Sequence, residues 1–446
     1  MILHGDVASL PFDDETFTAV LTDPPYGLQF MGKSWDHGVP SVAMWREVWR
    51  VCKPGAIMLA FGGTRTWHRL ATAIEDAGWG LCDTLMWLYG AGLPKSHDIS
   101  KAIDREAGAE RKIIGRYQPP NGTTWNLRND KRGGGLGAPS GLRSASLAIT
   151  APATPDAVTW AGYGTALRPS FEPILFCRKP REGTYAQNAV KHRAGVLNVD
   201  GGRIKNDSSR ANAAPVGRWP SNSILDEAAA EMVGEQSGES YRHASENRAM
   251  RGANTERGMS PNGYADTSTA TAARFFQHCS YSEADDWPLR FMYTSKAGRA
   301  ERDAGLEEWP LRNCGMMEDD AYPIKTGSGN LCKTQRHNHH PTVKPLALCR
   351  YLATLIRPPE AYLDDAALLV PFAGSGSEVI GGYLAGWRNV VGVELEAEYV
   401  EIANAREAWW RSAMAETGLS DPKEVLNAMT KRRRVDALAL RKIERG

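Results

Sequence analysis

A short apolar strand that ends at two consecutive prolines constrains the fold of this chain more than any other feature. Residues 17–21 read as a strand buried inside a sheet. Pro24 and Pro25 cannot extend that strand, because a proline has no backbone N–H to donate to the sheet. The strand therefore ends near Asp23. In open α/β sheets ligands bind beyond the carboxyl ends of the strands, so Asp23 is predicted to lie at a binding edge.

Strands and helices alternate along much of the chain. Other strands are predicted at residues 56–61, 81–88, 171–177, 368–372 and 389–393, because each is a short apolar run. Helices are predicted at residues 42–52, ended by Lys53-Pro54-Gly55, at residues from Thr64 as the cap to Gly78, and at residues 397 to about 413. This alternation predicts an α/β fold with a doubly wound, mostly parallel sheet.

The tetrapeptide Asp23-Pro24-Pro25-Tyr26 combines groups that suit a planar amine. The Asp23 carboxylate and the Pro24 carbonyl can each accept a hydrogen bond from an NH₂ group. The Tyr26 ring can stack on the aromatic ring that carries this group. Taken alone, the tetrapeptide is explained as well by a strand end followed by a Pro-Pro turn, so other parts of the sequence must decide.

A glycine-rich loop at residues 372–376 connects a predicted strand to a predicted helix. Gly374 and Gly376 let a ligand approach the backbone closely. Glu394 ends the next strand, twenty positions after Gly374, where a carboxylate can bind both hydroxyls of a ribose. The spacing indicates a nucleoside cofactor, although the incomplete Gly-x-Gly-x-x-Gly pattern disfavours a nicotinamide. A glycine turn that only packs the helix against the strand is the alternative.

The two motifs together resemble those of the amino-methyltransferases of DNA. In that family an Asp-Pro-Pro-Tyr box binds a flipped-out base, and an Asp-Pro-Phe-x-Gly-Ser-Gly-Thr motif binds the cofactor. This chain departs from the second motif at Val370, in place of Asp, and at Ser377, in place of Thr. The box comes first and the cofactor motif last, which is the permuted order of the family's beta class.

The resemblance implies a role for each matching residue. The implied catalytic residues are Asp23, Pro24, Pro25 and Tyr26. The implied cofactor is S-adenosylmethionine, with a binding site formed by Asp6, Pro341, Thr342, Lys344, Phe372, Ala373, Gly374, Ser375, Gly376 and Glu394. Residues 341–345 match the segment that closes over the methionine part, and residues 293–302 resemble another segment common in these enzymes.

The resemblance also divides the chain. Residues 1–112, 160–199 and 291–412 would form the catalytic domain, residues 113–159 and 200–290 an inserted target-recognition region, and residues 413–446 a basic tail. Residues 113–159 and about 226–271 are rich in small and polar residues and are predicted to be irregular. The basic segment 178–218 and the stretch from about residue 226 to residue 290 are predicted to contact double-stranded DNA.

The expected activity is methylation of the 6-amino group of adenine in DNA after base flipping. Asp rather than Ser at the first position of the box favours adenine over cytosine by resemblance. The alternatives are methylation of cytosine N4, methylation of RNA or of a protein glutamine, and a catalytically idle DNA-binding regulator. Relatives that act on RNA or protein tend to carry Asn first in the box, and the intact motifs disfavour an idle regulator.

Composition limits the setting in which the protein acts. The formal net charge is +1, so a DNA-binding surface must be a local patch. No apolar run approaches the ~20 residues of a membrane span, and no signal peptide is recognised. Seven scattered cysteines indicate reduced thiols in a cytoplasmic protein. The resemblance implies a bacterial or phage-like protein that acts at the nucleoid. His337, His339 and His340 lack partners at metal-ligand spacing, so they are interpreted as loop histidines and no metal is expected.

A homodimer is the expected assembly, since relatives of the beta class often pair. Two features of the sequence support it: apolar residues in the tail that need burial, and tryptophans that are favoured at interfaces. These residues are Leu438, Leu440 and Ile443 in the tail, and Trp45, Trp49, Trp67, Trp409 and Trp410. The alternative is that the tryptophans lie in the core and that the tail folds back on its own monomer.

Overall fold

The structure is a computed structural model that describes residues 1–28, 38–90, 96–116, 148–204, 219–237, 277–278, 297–313 and 335–443. Its strands are β1 Ile2–His4, β2 Phe17–Thr22, β3 Cys52–Phe61, β4 Gly80–Leu88, β5 Ile113–Arg116, β6 Ala148–Thr150, β7 Phe171–Arg178, β8 Ser223–Leu225, β9 Gln277–His278, β10 Arg312–Asn313, β11 Gln335–Arg336, β12 Ala367–Pro371 and β13 Asn389–Glu394. Its helices are α1 Val42–Val51, α2 Trp67–Asp76, α3 Ile99–Glu106, α4 Pro155–Thr159, α5 Tyr185–His192, α6 Glu227–Ser237, α7 Arg299–Asp303, α8 Leu346–Leu355, α9 Ser377–Leu384, α10 Ala397–Thr417 and α11 Pro422–Ile443.

Within these ranges, nine strands form one sheet in the order β1-β13-β12-β2-β3-β7-β4-β8-β9. The pairs on either side of β7 are antiparallel, and the other pairs of the sheet are parallel. The predicted α/β fold with a mostly parallel sheet is therefore confirmed. Because β7 runs backwards, its first residues lie at the edge where the parallel strands end.

Helices cover both faces of the sheet. All six residues of β2 are buried, and successive side chains alternate between the faces. Ala19 and Leu21 pack in a core that includes residues of α8 and α9, whereas Val20 packs in a core that includes residues of α1 and α2. Truncating such a buried side chain as Leu21 to Ala would cost about 2–5 kcal/mol. The end of β2, and Asp23 beyond it, is thus held from both sides.

Several local predictions need correction. Helix α1 ends at Val51, because Cys52 already has an extended backbone, with φ −92° and ψ 145°, and residues 53–55 belong to β3. Helix α2 is preceded by Thr66 at its cap position rather than by Thr64. Helix α10 runs to Thr417 and ends where Gly418 adopts a left-handed conformation.

The regions predicted to be irregular contain ordered elements where they are described. Strands β5 and β6 pair antiparallel, and Thr154 caps α4 through its side chain, so residues 113–159 are not all loop. Helix α6 occupies the start of the stretch from residue 226, where three consecutive alanines favour a helix. Residues 29–37, residues 117–147 and most of residues 238–296 lie outside the described residues. The domain boundaries stay a prediction.

The positions of two tryptophans and of the start of the tail agree better with the alternative, in which the tryptophans lie in the core and the tail packs on its own chain. Trp45 and Trp410 are fully buried, so the idea that they form an interface is wrong. Val425 and Leu426 of α11 pack in the same cluster as Trp410 and anchor the start of the tail on its own chain. The side chains of Leu438, Leu440 and Ile443 lie outside the described residues.

Candidate active site

The ends of β2 and β12 meet at the carboxyl edge of the sheet. The two strands are parallel neighbours, and the Thr22 hydroxyl donates a 2.6 Å hydrogen bond to the Pro371 carbonyl. Asp23 follows Thr22, and the glycine loop 372–376 follows Pro371. Although about 350 residues separate them in sequence, the two motifs predicted to be functional leave the sheet side by side.

Asp23 holds two side chains of the site. The Tyr26 hydroxyl donates to Asp23 Oδ1 at 2.9 Å, and Lys344 Nζ donates to Asp23 Oδ2 at 2.7 Å. Lys344 also lies 3.1 Å from the Tyr26 hydroxyl oxygen. The segment predicted to close over the cofactor therefore also reaches the box through Lys344. Pro24 is buried and Pro25 half-buried beside them.

Glu172 is a member of this cluster that the sequence did not single out. Its Oε2 lies 3.1 Å from the Tyr26 hydroxyl oxygen and 3.4 Å from Lys344 Nζ. Glu172 is the second residue of β7, and it reaches the site because that strand is antiparallel. A carboxylate directly at the start of a buried strand was the available signal, but it points to the site only once the direction of β7 is known.

The charges in this cluster shift one another's pKa. Burial raises the pKa of Tyr26 well above its ordinary value, and the carboxylates of Asp23 and Glu172 raise it further. Burial lowers the pKa of Lys344, but Asp23 and Glu172 raise it more, so the ammonium is strongly favoured. Glu378, in the first turn of α9, has its pKa raised to about 7 by burial and by Asp23. At neutral pH Tyr26 is thus a neutral donor and Lys344 a cation.

The loop 372–376 forms a cradle of tightly approached backbone. Phe372 has φ +57°, unusual for a side chain of its size, and its ring packs edge-on against Trp45 at 5.9 Å. Gly374 has φ +49°, and a Cβ built there would lie 2.8 Å from His340 Nε2. Ala373 and Ser375 are buried. The loop needs glycine at position 374 for both its conformation and its space.

Glu394 closes this cradle from the neighbouring strand. Its Oε2 accepts the Gly374 N–H at 2.7 Å, and its Oε1 accepts the Glu396 N–H at 3.0 Å. Burial raises its pKa, and these two hydrogen bonds oppose the rise. Asp6 lies at the same edge, because the N–H of Gly5 donates to the Glu394 carbonyl at 2.9 Å. The Asp6 side chain is exposed and accepts the Ala8 N–H at 2.8 Å.

Two buried arginines fix the loop and the closing segment: Arg302, which belongs to the family-like segment 293–302, and Arg406, which the sequence did not single out. Arg406 donates to the Ser375 carbonyl, and its Nη1 lies 3.1 Å from Ser375 Oγ. Arg302 donates to the carbonyls of Asn338 and His340, just before Pro341 and Thr342, which are half-buried. Arginines are mostly exposed in proteins, so a sequence gives little indication of this role. Residues 299–302 of the predicted segment 293–302 form part of this support, and residues 293–296 lie outside the described residues.

The described part of the basic segment lies away from this edge. Lys179 is buried and donates to the carbonyls of Trp49 and Cys52, so the prediction that it contacts DNA is wrong. Lys191 pairs with Glu182 and Arg193 with Asp365. These residues follow the end of β7, about 20 Å along the strand from Glu172. Residues 205–218 lie outside the described residues.

Comparisons with known proteins support an enzyme of one family. A model of the N6/N4 methyltransferases, described as DNA methylase, matches residues 17–405. The chain belongs to this DNA methylase family. Its predicted membership among the DNA amino-methyltransferases is thereby confirmed. No curated protein sequence matches the chain.

Several solved structures are similar to this methylase. The complex of M1.HpyAVI with SAM shares 13% identity over 91% of this chain and 98% of that chain, with a TM-score of 0.34. The cytosine-N4-specific PvuII DNA methyltransferase shares 11% over 96% and 92%, with a TM-score of 0.38. The putative DNA modification methylase TTHA0409 of Thermus thermophilus, complexed with S-adenosyl-L-methionine, shares 13% over 92% and 93%, with a TM-score of 0.33.

The cradle of this methylase fits S-adenosylmethionine, the cofactor of the family. Glu394 presents a buried carboxylate whose remaining lone pairs can accept two ribose hydroxyls. Gly374 and Gly376 have a positive φ, which favours glycine, and as glycines they place no side chain of their own at the strand end. Within the described ranges there is no group of histidine, cysteine and acidic residues that could hold a metal, and no helix long and apolar enough to cross a membrane.

Proposed function

We propose that this methylase transfers a methyl group to the 6-amino group of adenine in double-stranded DNA. The observation that carries the proposal is the position of Asp23, at a strand end next to the cofactor loop, as the first residue of its box. In its first residue, Asp, the box resembles that of the enzymes that act on adenine rather than that of the enzymes that act on cytosine N4.

The residues of the box act on the flipped base. The Asp23 carboxylate and the Pro24 carbonyl accept hydrogen bonds from the amino group and localise its lone pair, which is otherwise delocalised into the ring. The Tyr26 ring stacks on the base and offsets part of the few kcal/mol that flipping costs. Bound S-adenosylmethionine supplies a methyl group on a positively charged sulfur. Glu394 and the loop 372–376 hold it beside Asp23, and this positioning supplies much of the rate.

Product analysis tests the assignment. The purified protein is incubated with isotope-labelled S-adenosylmethionine and bacterial DNA, and the hydrolysed nucleosides are separated by mass spectrometry. We expect label in N6-methyldeoxyadenosine. Label in N4-methyldeoxycytidine would refute the choice of base but not of reaction, and label only in RNA or protein would refute DNA as the substrate. Sequencing the genome of an expressing host with detection of modified bases would then give the recognition sequence.

We also propose that residues 113–159 and 200–290 read the DNA sequence, that the enzyme acts at the nucleoid in the cytoplasm, and that it is a homodimer. The dimer rests on resemblance to the beta class and on Trp67, which is 37% exposed. In a dimer, each protomer would methylate one strand of the recognition sequence. Light scattering at micromolar protein, with and without DNA, tests the dimer, and a monomer mass in both states would refute it.

A further inference from the structure

Two carboxylates of the active site share the same two donors. Asp23 lies 2.9 Å from the Tyr26 hydroxyl and 2.7 Å from Lys344 Nζ, and Glu172 lies 3.1 Å and 3.4 Å from the same groups. Tyr26 has one hydroxyl proton, so it donates to one carboxylate at a time. The Lys344 ammonium has three protons, enough for Asp23, Glu172 and the Tyr26 oxygen.

The cluster has one negative charge in excess when both carboxylates and the ammonium are ionised. The side chains of Lys344, Asp23 and Glu172 are only 7%, 11% and 21% exposed, so water screens their interactions weakly. Glu378, whose pKa burial raises to about 7, is neutral below that pH and then adds no charge to the cluster. Without Glu172, Asp23 and Lys344 would then form a neutral pair. With Glu172, Lys344 has a second counter-ion, and the charge of Asp23 is not cancelled.

We propose that Glu172 is a positioning residue for methyl transfer. It binds Lys344 and accepts the hydrogen bond of the Tyr26 hydroxyl, so that the Asp23 carboxylate is available to accept hydrogen bonds from the target amine. This inference rests on the proposed function. As the amine nitrogen forms its bond to the methyl carbon, the carbon–sulfur bond breaks and its electron pair stays on sulfur. The nitrogen carries positive charge until one of its protons passes through Asp23 to water. Because Lys344 does not cancel the negative charge of Asp23, this charge stabilises the positively charged nitrogen as it forms.

The substitution Glu172→Gln tests the charge directly, because the amide oxygen can still accept from Tyr26. In single turnovers with saturating S-adenosylmethionine and DNA of the recognition sequence, we expect the rate constant of methyl transfer to fall about tenfold to a hundredfold. Calorimetric affinity for S-adenosylmethionine and affinity for DNA should change by less than about twofold, because the lost interaction acts in the transition state. Glu172→Ala, measured in parallel, should show the same split.

Glu182→Gln is the matched control, since Glu182 is an exposed carboxylate paired with Lys191 beyond the opposite end of β7, and it should keep the wild-type rate. A wild-type rate in Glu172→Gln would overturn the proposal. So would a slower rate accompanied by equal losses of cofactor affinity and thermal stability, which would assign Glu172 a structural role. A wild-type protein that binds the cofactor but methylates no DNA would refute the proposed function itself, and with it this inference.

Discussion

Asp23 and Glu394 are carboxylates at one edge of the sheet, but they contact different kinds of donor. Asp23 accepts from the side chains of Tyr26 and Lys344, and Glu394 accepts from backbone N–H groups of the cofactor loop and of Glu396. The partners of Asp23 can exchange with a substrate, whereas those of Glu394 fix its carboxylate in the cradle. We therefore assign Asp23 to the target base and Glu394 to the cofactor, and each assignment makes a prediction.

Replacing Asp23 by Ala should abolish methyl transfer and leave the affinity for S-adenosylmethionine nearly intact. The amine would lose its charged acceptor, while the contacts of Glu394 would remain. Turnover is measured with labelled methyl groups and affinity by calorimetry. Asp13→Ala, an exposed carboxylate, serves as the control. A variant that kept more than about a tenth of the wild-type turnover would remove Asp23 from the chemistry.

Replacing Glu394 by Ala should weaken binding of S-adenosylmethionine by about 1.5–3 kcal/mol, the scale of lost hydrogen bonds to a charged group. Calorimetry measures the change, with Glu401→Ala on the exposed face of α10 as the control. An unchanged affinity would mean that Glu394 does not hold the ribose.

Among the structural elements, the turn between β12 and α9 depends most on glycine. Gly374→Ala introduces a Cβ 2.8 Å from His340 Nε2 at a residue with φ +49°. Gly418→Ala is a matched control, because Gly418 has φ +67° but open space around its Cβ position. Both variants should lose about 1–2 kcal/mol of folding stability through the backbone alone. Only Gly374→Ala should also lose cofactor affinity, and equal affinities in the two variants would contradict this.

The first turn of α9 should make folding stability depend on pH through Glu378. Its pKa rises from 4.5 to about 7 on folding, chiefly through burial. A carboxyl with a raised folded pKa is protonated in both states at low pH, and stability is lost as the pH rises between these two values. Glu378→Gln is neutral throughout, so its stability relative to wild type should increase by about 3 kcal/mol across this window. Denaturant midpoints at several pH values measure this, and a constant difference would refute it.

The elements also show what the sequence could predict. Strands buried on both faces are continuous apolar runs, so β2, β3, β12 and β13 were recognisable. The direction of β7 was not, because an apolar run reads the same way in either direction. Without the direction of β7, the position of Glu172 in the active site could not be predicted. Arg302 was recognised only as part of the segment 293–302, and Arg406 was missed, because a charged residue is rarely buried and the sequence does not show which carbonyls it contacts.

In the whole molecule, the length of β7 separates the active-site edge of the sheet from the described basic residues at the start of segment 178–218, such as Lys191 and Arg193. Lys191→Ala should therefore change DNA affinity by less than about twofold and leave its salt dependence unaltered, since no phosphate contact is lost. Filter binding over a range of salt concentrations measures both.

Deleting residues 238–271, by contrast, should change the DNA sequence that the enzyme prefers to methylate. An unchanged sequence preference would exclude these residues from recognition.

The order of strands in the sheet has a consequence for synthesis of the protein. Strands β13 and β12, near residues 390 and 370, lie between β1 and β2. During translation β1 and β2 must wait for these partners on the order of half a minute, at the usual rate of elongation. An unpaired strand edge favours aggregation, so the nascent chain should depend on chaperones over this interval. A prematurely terminated chain would contain the Asp23-Pro24-Pro25-Tyr26 box but not the loop 372–376, and so could not methylate DNA.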